Sequence, residues 1–127
     1  MADFRFDQAN VPLINPSLPF PEYKPLTGLK FDDNKPRMDL IPPELLTAVA
    51  IILTFGAKKY GDRNWEKGMD WGRPYSALLR HLLAWHGGED KDPETGLSHL
   101  WHVATNAAFL LTYEERKIGN DNRPTRA

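Results

Sequence analysis

Four carboxylates, Glu89, Asp90, Asp92 and Glu94, fall in one short connector broken by Gly87, Gly88 and Pro93. His81 precedes the connector, and His99, His102 and Asn106 follow it. Carboxylate oxygens are hard ligands suited to Mg²⁺ or Mn²⁺. Imidazole nitrogens bind transition metals or donate to phosphates and base edges. Together these residues describe a cation-dependent site. His99, His102 and Asn106 are three and four residues apart, so on a helix they share one face. A polar stripe beside an apolar helix face needs partners. The plain alternative is that the histidines hydrogen-bond across helix packing. The acids would then form a solvated turn in which Asp92 caps the helix that follows. The spacing fits no EF-hand or zinc signature.

A second group of residues is basic and aromatic. Lys58, Lys59, Arg63 and Arg73 lie in or beside one connector, with Arg37 upstream and Arg80 further on. Tyr60, Trp65 and Trp71 are interleaved with them. Cations for phosphates and aromatic faces for a base compose a nucleotide pocket. The alternative is that the tryptophans plug the core and the lysines sit in solvent. No Gly-rich phosphate loop, Ser-His-Asp pattern or His-Asp dipeptide stands out, which argues against covalent catalysis.

Three helices must position these groups. Pro42 and Pro43 suit a first turn, and Glu44 suits the positive end of the dipole. Leu45, Leu46, Val49, Ile52, Leu53 and Phe55 then make a helix apolar almost all round, ended by Gly56 or Gly61. Pro74 opens the second helix, and Gly87-Gly88 closes it. The third starts between Pro93 and Ser98 and runs to about Lys117, with Val103, Ala107, Leu110 and Leu111 as its apolar stripe. No segment alternates with period two, so the expected fold is all-α, a compact helical bundle.

Length and composition bound the rest. The chain has 127 residues, 16 basic and 17 acidic, and a net charge of −1. One small domain is expected, which completes its core by forming a homo-oligomer, a dimer or larger. Near-neutral charge argues against nucleic acid as a partner. The absence of cysteine excludes disulfides and thiolate metal sites. No signal pattern or membrane-length apolar run is present, so a cytoplasmic location is the default and no membrane partner is expected. Residues 1–27 carry recurrent prolines with Phe4, Phe6, Phe20 and Tyr23 between them. They read either as an extended arm laid on a surface or as a disordered tail. Residues 28–118 form the helical domain, and 119–127 a polar, disordered tail.

The strings KPRMDLIPPELLTAVAIILTFGAKKYGDRNW and ALLRHLLAWHGGEDKDPETGLSHLWHVATNAAFLL resemble the phage dATP/dGTP diphosphohydrolase family. That family is placed near the MazG-like all-α nucleotide pyrophosphohydrolases. The resemblance covers about residues 28–115 and omits the arm. It implies metal-dependent hydrolysis of purine deoxynucleoside triphosphates, dGTP or dATP, to monophosphate and pyrophosphate, in the host cytoplasm if the protein is phage-encoded. On this reading Glu89, Asp90, Asp92 and His99 hold Mg²⁺ or Mn²⁺, and Glu89, Asp90, His99 and His102 are catalytic. Lys59, Tyr60, Arg63, Asn64, Trp65, Arg73, His81 and Asn106 bind substrate. One departure matters: His99-x-x-His102 stands where a MazG-type site carries an acidic pair. The alternative implied by that departure is a non-hydrolysing nucleotide-binding protein, such as a sponge for a signalling nucleotide.

Overall fold

A computed structural model describes residues 28–125. The expected N-terminal arm lies outside the described residues. The chain divides after Leu40 into two compact units. In the first, Lys35 N donates to Asp32 O to close a turn, and a single 3-10 turn spans Met38–Leu40. Arg37 pairs with Asp39 at 2.7 Å in solvent.

The second unit contains three α-helices: α1 Pro43–Tyr60, α2 Gly72–His86 and α3 His99–Arg116. A 3-10 helix, Asn64–Lys67, joins the first two. No strand forms among the described residues, only the isolated bridges Asp70–Asn120 and Lys91–Ser98. The all-α expectation holds. Helix α3 is the common surface on which α1 and α2 both pack.

The helix ends follow local chemistry. Pro43 occupies the first position of α1, where its missing N–H costs nothing. The helix continues through Gly56 and stops at Gly61, whose φ of 92° suits glycine. Helix α2 begins at Gly72, two residues before Pro74, and ends at Gly87. Ser98 caps α3 by accepting from Leu100 N, so the cap is not Asp92. Lys117 closes α3 in the left-handed conformation.

The packed face of α3 differs from the expected stripe. Leu111 is 68% exposed, and Ala107 is exposed too. Thr105 and Tyr113 are instead fully buried, and Phe109 stacks on Trp65 with centroids 4.6 Å apart. An aromatic wedge from the 3-10 segment set the face, outweighing aliphatic spacing. Tyr113 Oη donates to Trp65 O at 2.6 Å, which fixes the wedge.

The segment after α3 is pinned as well. Asn120 N donates to Met69 O, and Trp71 N donates to Asn120 O. Trp71 Nε1 donates to Ile118 O at 2.9 Å. Asn122 Oδ1 accepts from Gly72 N and so caps α2, which has no side-chain cap of its own. Residues 118–123 are therefore ordered against the 68–72 loop, unlike the expected tail. Hydrogen bonds that polarity alone does not reveal account for the difference.

Candidate metal centre

The acidic connector and three histidines meet where α2 and α3 pack. His81 lies on the inner face of α2. His99 and His102, on the first turn of α3, are buried. The connector doubles back to reach them: His99 N donates to Asp90 O, Asp92 N to Leu97 O, and Gly96 N to Asp92 O. This tight return requires Gly96, whose φ is 72°.

Two hydrogen-bond chains run through the cluster, and each ends on a carboxylate. In the first, Glu89 Oε1 lies 2.7 Å from His99 Nε2, and His99 Nδ1 lies 2.8 Å from His81 Nδ1. The Glu89 carboxylate accepts from His99 Nε2–H. With both rings neutral, His99 Nδ1 then accepts from His81 Nδ1–H, and the His81 lone pair is left at Nε2. In the second chain, Thr95 Oγ1 lies 3.0 Å from Asp92 Oδ2 and 2.9 Å from His102 Nε2. Asp92 has no proton to give, so the hydroxyl donates to it and accepts from His102 Nε2–H. The His81 and His102 rings stack at 4.3 Å, within 5° of parallel, and bring the chains together.

Electrostatics favour lone pairs over protons. Burial pushes the His81 and His102 imidazoles below their ordinary value, and each also feels a neighbouring imidazole. Burial alone would raise the Asp92 carboxyl. Hydrogen bonds from Glu94 N and Thr95, with the His102 charge, outweigh it and hold Asp92 below the usual value. An anion beside two neutral imidazoles is the donor set of a divalent cation. One donor atom each from His81, Asp92 and His102 lies within 4.8 Å of the others. A central ion with bonds of about 2.0–2.3 Å holds its ligand atoms roughly 3–4.6 Å apart, so a small inward shift of these side chains would close the set around one.

The structure sorts the expected site residues. Glu89, Asp92, His81, His99 and His102 come together. Glu89 and His99, expected as metal ligands, are engaged with each other. Asp90 contributes its backbone carbonyl, and its side chain makes no hydrogen bond among the described residues. Asn106 Nδ2 donates to His102 O in its own helix. Lys59 and Tyr60 are exposed at the end of α1 and paired as cation and ring at 5.1 Å. Tyr60 raises the Lys59 pKa, and the Glu94 charge adds to this. Arg63, at φ 57°, pairs with Glu66 on the 3-10 segment, where Asn64 is the first residue. Trp65 is the core wedge, and Arg73 is exposed at the start of α2. Thr95 was missed by sequence reasoning. Its signal is the Asp92-x-x-Thr95 spacing, in which an Asx-type turn lets the hydroxyl reach the carboxylate.

An apolar groove of about 440 Å³ adjoins the cluster, lined by Ile51, Phe55 and Lys58 of α1 and by Leu97 among others. Leu97 links the two places: its carbonyl accepts from Asp92 N, and its N–H donates to Thr95 Oγ1.

The family model for dATP/dGTP diphosphohydrolase, N-terminal, matches residues 25–123. The chain belongs to this family. A protein of Salmonella phage PMBT28 named dATP/dGTP diphosphohydrolase is similar, at 37% identity over 98 residues. That stretch is 77% of this chain and 33% of the relative, so the chain spans about a third of that relative's length. No solved structure matches. The diphosphohydrolase-family match contains the whole histidine–carboxylate cluster and the connector that carries Trp65 and Trp71.

Proposed function

We propose that this domain binds a purine deoxynucleoside triphosphate, dATP or dGTP, and hydrolyses it with a divalent metal, Mg²⁺ or Mn²⁺. Water would attack the α-phosphorus, the α–β bridging bond would break, and deoxynucleoside monophosphate, pyrophosphate and a proton would be released. The observation that carries this reading is the His81–Asp92–His102 cluster inside a domain of this family. A cation there would supply charge neutralisation for the triphosphate and lower the pKa of a bound water.

The chain's own residues do the remainder. Asp92 and the two imidazoles would hold the ion. Thr95 orients Asp92 and His102, and Glu89 with His99 orients His81. Leu97 and the α1 groove would offer apolar walls to the base. Lys58, in the same groove as Leu97, would supply positive charge near the connector. No helix among the described residues is long and apolar enough to cross a membrane. The nucleotide pool of the cytoplasm, the host's for a phage protein, is the setting this substrate implies.

Incubation with dATP or dGTP and Mn²⁺, read by chromatography, tests the proposal. Monophosphate and pyrophosphate should accumulate, and EDTA should stop them. A second reading follows from imidazoles standing in positions expected to be acidic. In that reading the nucleotide is retained on the protein and recovered intact.

We also infer self-association, from the apolar faces the chain leaves exposed. Leu46 is 61% exposed, Leu83 68% and Leu111 68%, and Phe55, Tyr75 and Trp85 are exposed as well. Burying these faces against a second copy would remove from water apolar area that the monomer leaves uncovered. Light scattering should give a mass of at least a dimer at micromolar concentration, and a monomer would overturn this part.

A further inference from the structure

We propose that Glu89 and His99 are a positioning pair that holds His81 as the Nδ1–H tautomer, making the His81–Asp92–His102 cluster a transition-metal site in preference to a Mg²⁺ site. The inference rests on reading this cluster as a cation site and not on hydrolysis.

The geometry distinguishes a ligand from a group that orients one. His99 has both ring nitrogens occupied, Nε2 by Glu89 at 2.7 Å and Nδ1 by His81 at 2.8 Å. It has no lone pair left for an ion. Glu89 is engaged through Oε1, and the Glu89 side chain is 53% exposed at the rim, whereas His99 is 4% exposed. A buried imidazole that spends both nitrogens between a carboxylate and a second imidazole sets the tautomer of that second ring. Metal-bound histidines characteristically donate their other N–H to such a partner, and the partner fixes ring orientation. Here the partner is itself a histidine, so the orientation of His81 depends on Glu89 two hydrogen bonds away.

The donor set follows. With His81 Nδ1 protonated, Nε2 is its metal-binding nitrogen. His102, whose Nε2–H goes to Thr95, adds a second imidazole through Nδ1, and Asp92 adds one carboxylate. Mg²⁺ prefers oxygen ligands in a near-ideal octahedron. Two nitrogens and one carboxylate suit first-row transition ions, which bind such sets with positions left open.

The test uses metal binding alone, without nucleotide, so it succeeds or fails separately from hydrolysis. Co²⁺ is titrated into the full chain and followed by its visible absorption and by calorimetry, with Mg²⁺ as competitor. Expected are one Co²⁺ per chain, displacement by EDTA, and no displacement by Mg²⁺ at equal concentration. Glu89→Ala should weaken Co²⁺ binding by about 10–100-fold, the usual cost of losing an outer partner, with the absorption band unchanged. Glu89→Gln keeps an amide oxygen to accept from His99 and should recover most of the affinity. His81→Gln should change the band itself, because a nitrogen donor is lost. Circular dichroism and melting establish that each variant is folded, and exposed Glu89 is safe to change. Mg²⁺ binding as tight as Co²⁺ would overturn the metal preference. Wild-type affinity in Glu89→Ala, or a band altered as in His81→Gln, would overturn the positioning role.

Discussion

Helix α3 buries polar groups at both ends, and the two ends solve the problem differently. At the C-terminal end, Tyr113 is fully buried and its hydroxyl donates to the Trp65 carbonyl at 2.6 Å. Burial raises its pKa, so it stays protonated. The bond joins a neutral donor to a backbone acceptor and leaves nothing free to react. At the N-terminal end, His99 and His102 are buried against hydrogen-bond chains that terminate on Glu89 and Asp92. Those chains fix tautomers and leave imidazole lone pairs beside an anion. A buried polar group satisfied by backbone is a fastening. One satisfied through a chain to a carboxylate retains chemistry.

The sharpest way to break this contrast is a pair of near-isosteric substitutions. Asp92→Asn keeps an acceptor for Glu94 N and removes the charge. Cation affinity and any turnover should fall at least about 100-fold, the upper end of what losing even a ligand's hydrogen-bond partner costs, with a smaller loss of melting temperature from the missing carboxylate. Tyr113→Phe should do the reverse. It leaves the Trp65 carbonyl without its partner and should cost about 1–3 kcal/mol in denaturant unfolding, with metal binding intact. If Tyr113→Phe lowers cation affinity as much as stability, the ends are coupled and the division is wrong.

A smaller effect sharpens how far the fastening extends. Asn122 caps α2 from the C-terminal segment. Asn122→Ala should cost about 0.5–2 kcal/mol, the usual loss of an N-cap, and leave the cation site unchanged because His81 lies more than two turns into α2. Unfolding free energy equal to wild type would mean water replaces the cap.

Legibility in the sequence differs between the two ends. The three helices were readable because proline, glycine and apolar runs act locally. The meeting of His99 and His102 with the acidic connector was readable because the two histidines share a face and the acids precede them. Thr95 was not, because its role depends on the connector folding back, a three-dimensional fact set by Gly96 and the Leu97–Asp92 bond. The roles of Glu89 and His99 as partners, rather than two ligands, were hidden for the same reason. At the far end, aliphatic spacing suggested Leu111 as core. The wedge that excludes it comes from Trp65, 48 residues before Tyr113 in the chain. Asn120 and Asn122 looked like solvent-exposed tail because polarity says nothing about a long-range backbone partner.

The smallest expected effect is a pH dependence confined to the N-terminal end. His81 and His102 have folded-state pKa values below 6.5, chiefly from burial. As pH falls through about 6.5 the unfolded chain takes up protons before the folded one. Stability is therefore complete above that pH and declines as pH falls towards the folded values. The groups facing these rings act in both directions: Asp92 and Glu94 favour the charged His102, while His99 opposes it. On His81, His102 opposes the charge most, Asp92 favours it, and His99 and Arg80 oppose it further. Asp92 has its own depressed pKa, so its contribution is present above about 3.8 and is lost only below it. Metal-free protein should thus lose melting temperature gradually between pH 6.5 and 4 and more steeply below. His102→Gln removes one of the two buried imidazoles and should flatten the upper part of that decline. Tyr113 titrates far above this range, so Tyr113→Phe should lower the whole profile without changing its shape. Parallel profiles for wild type and His102→Gln would show that the buried imidazoles do not set the acid limb.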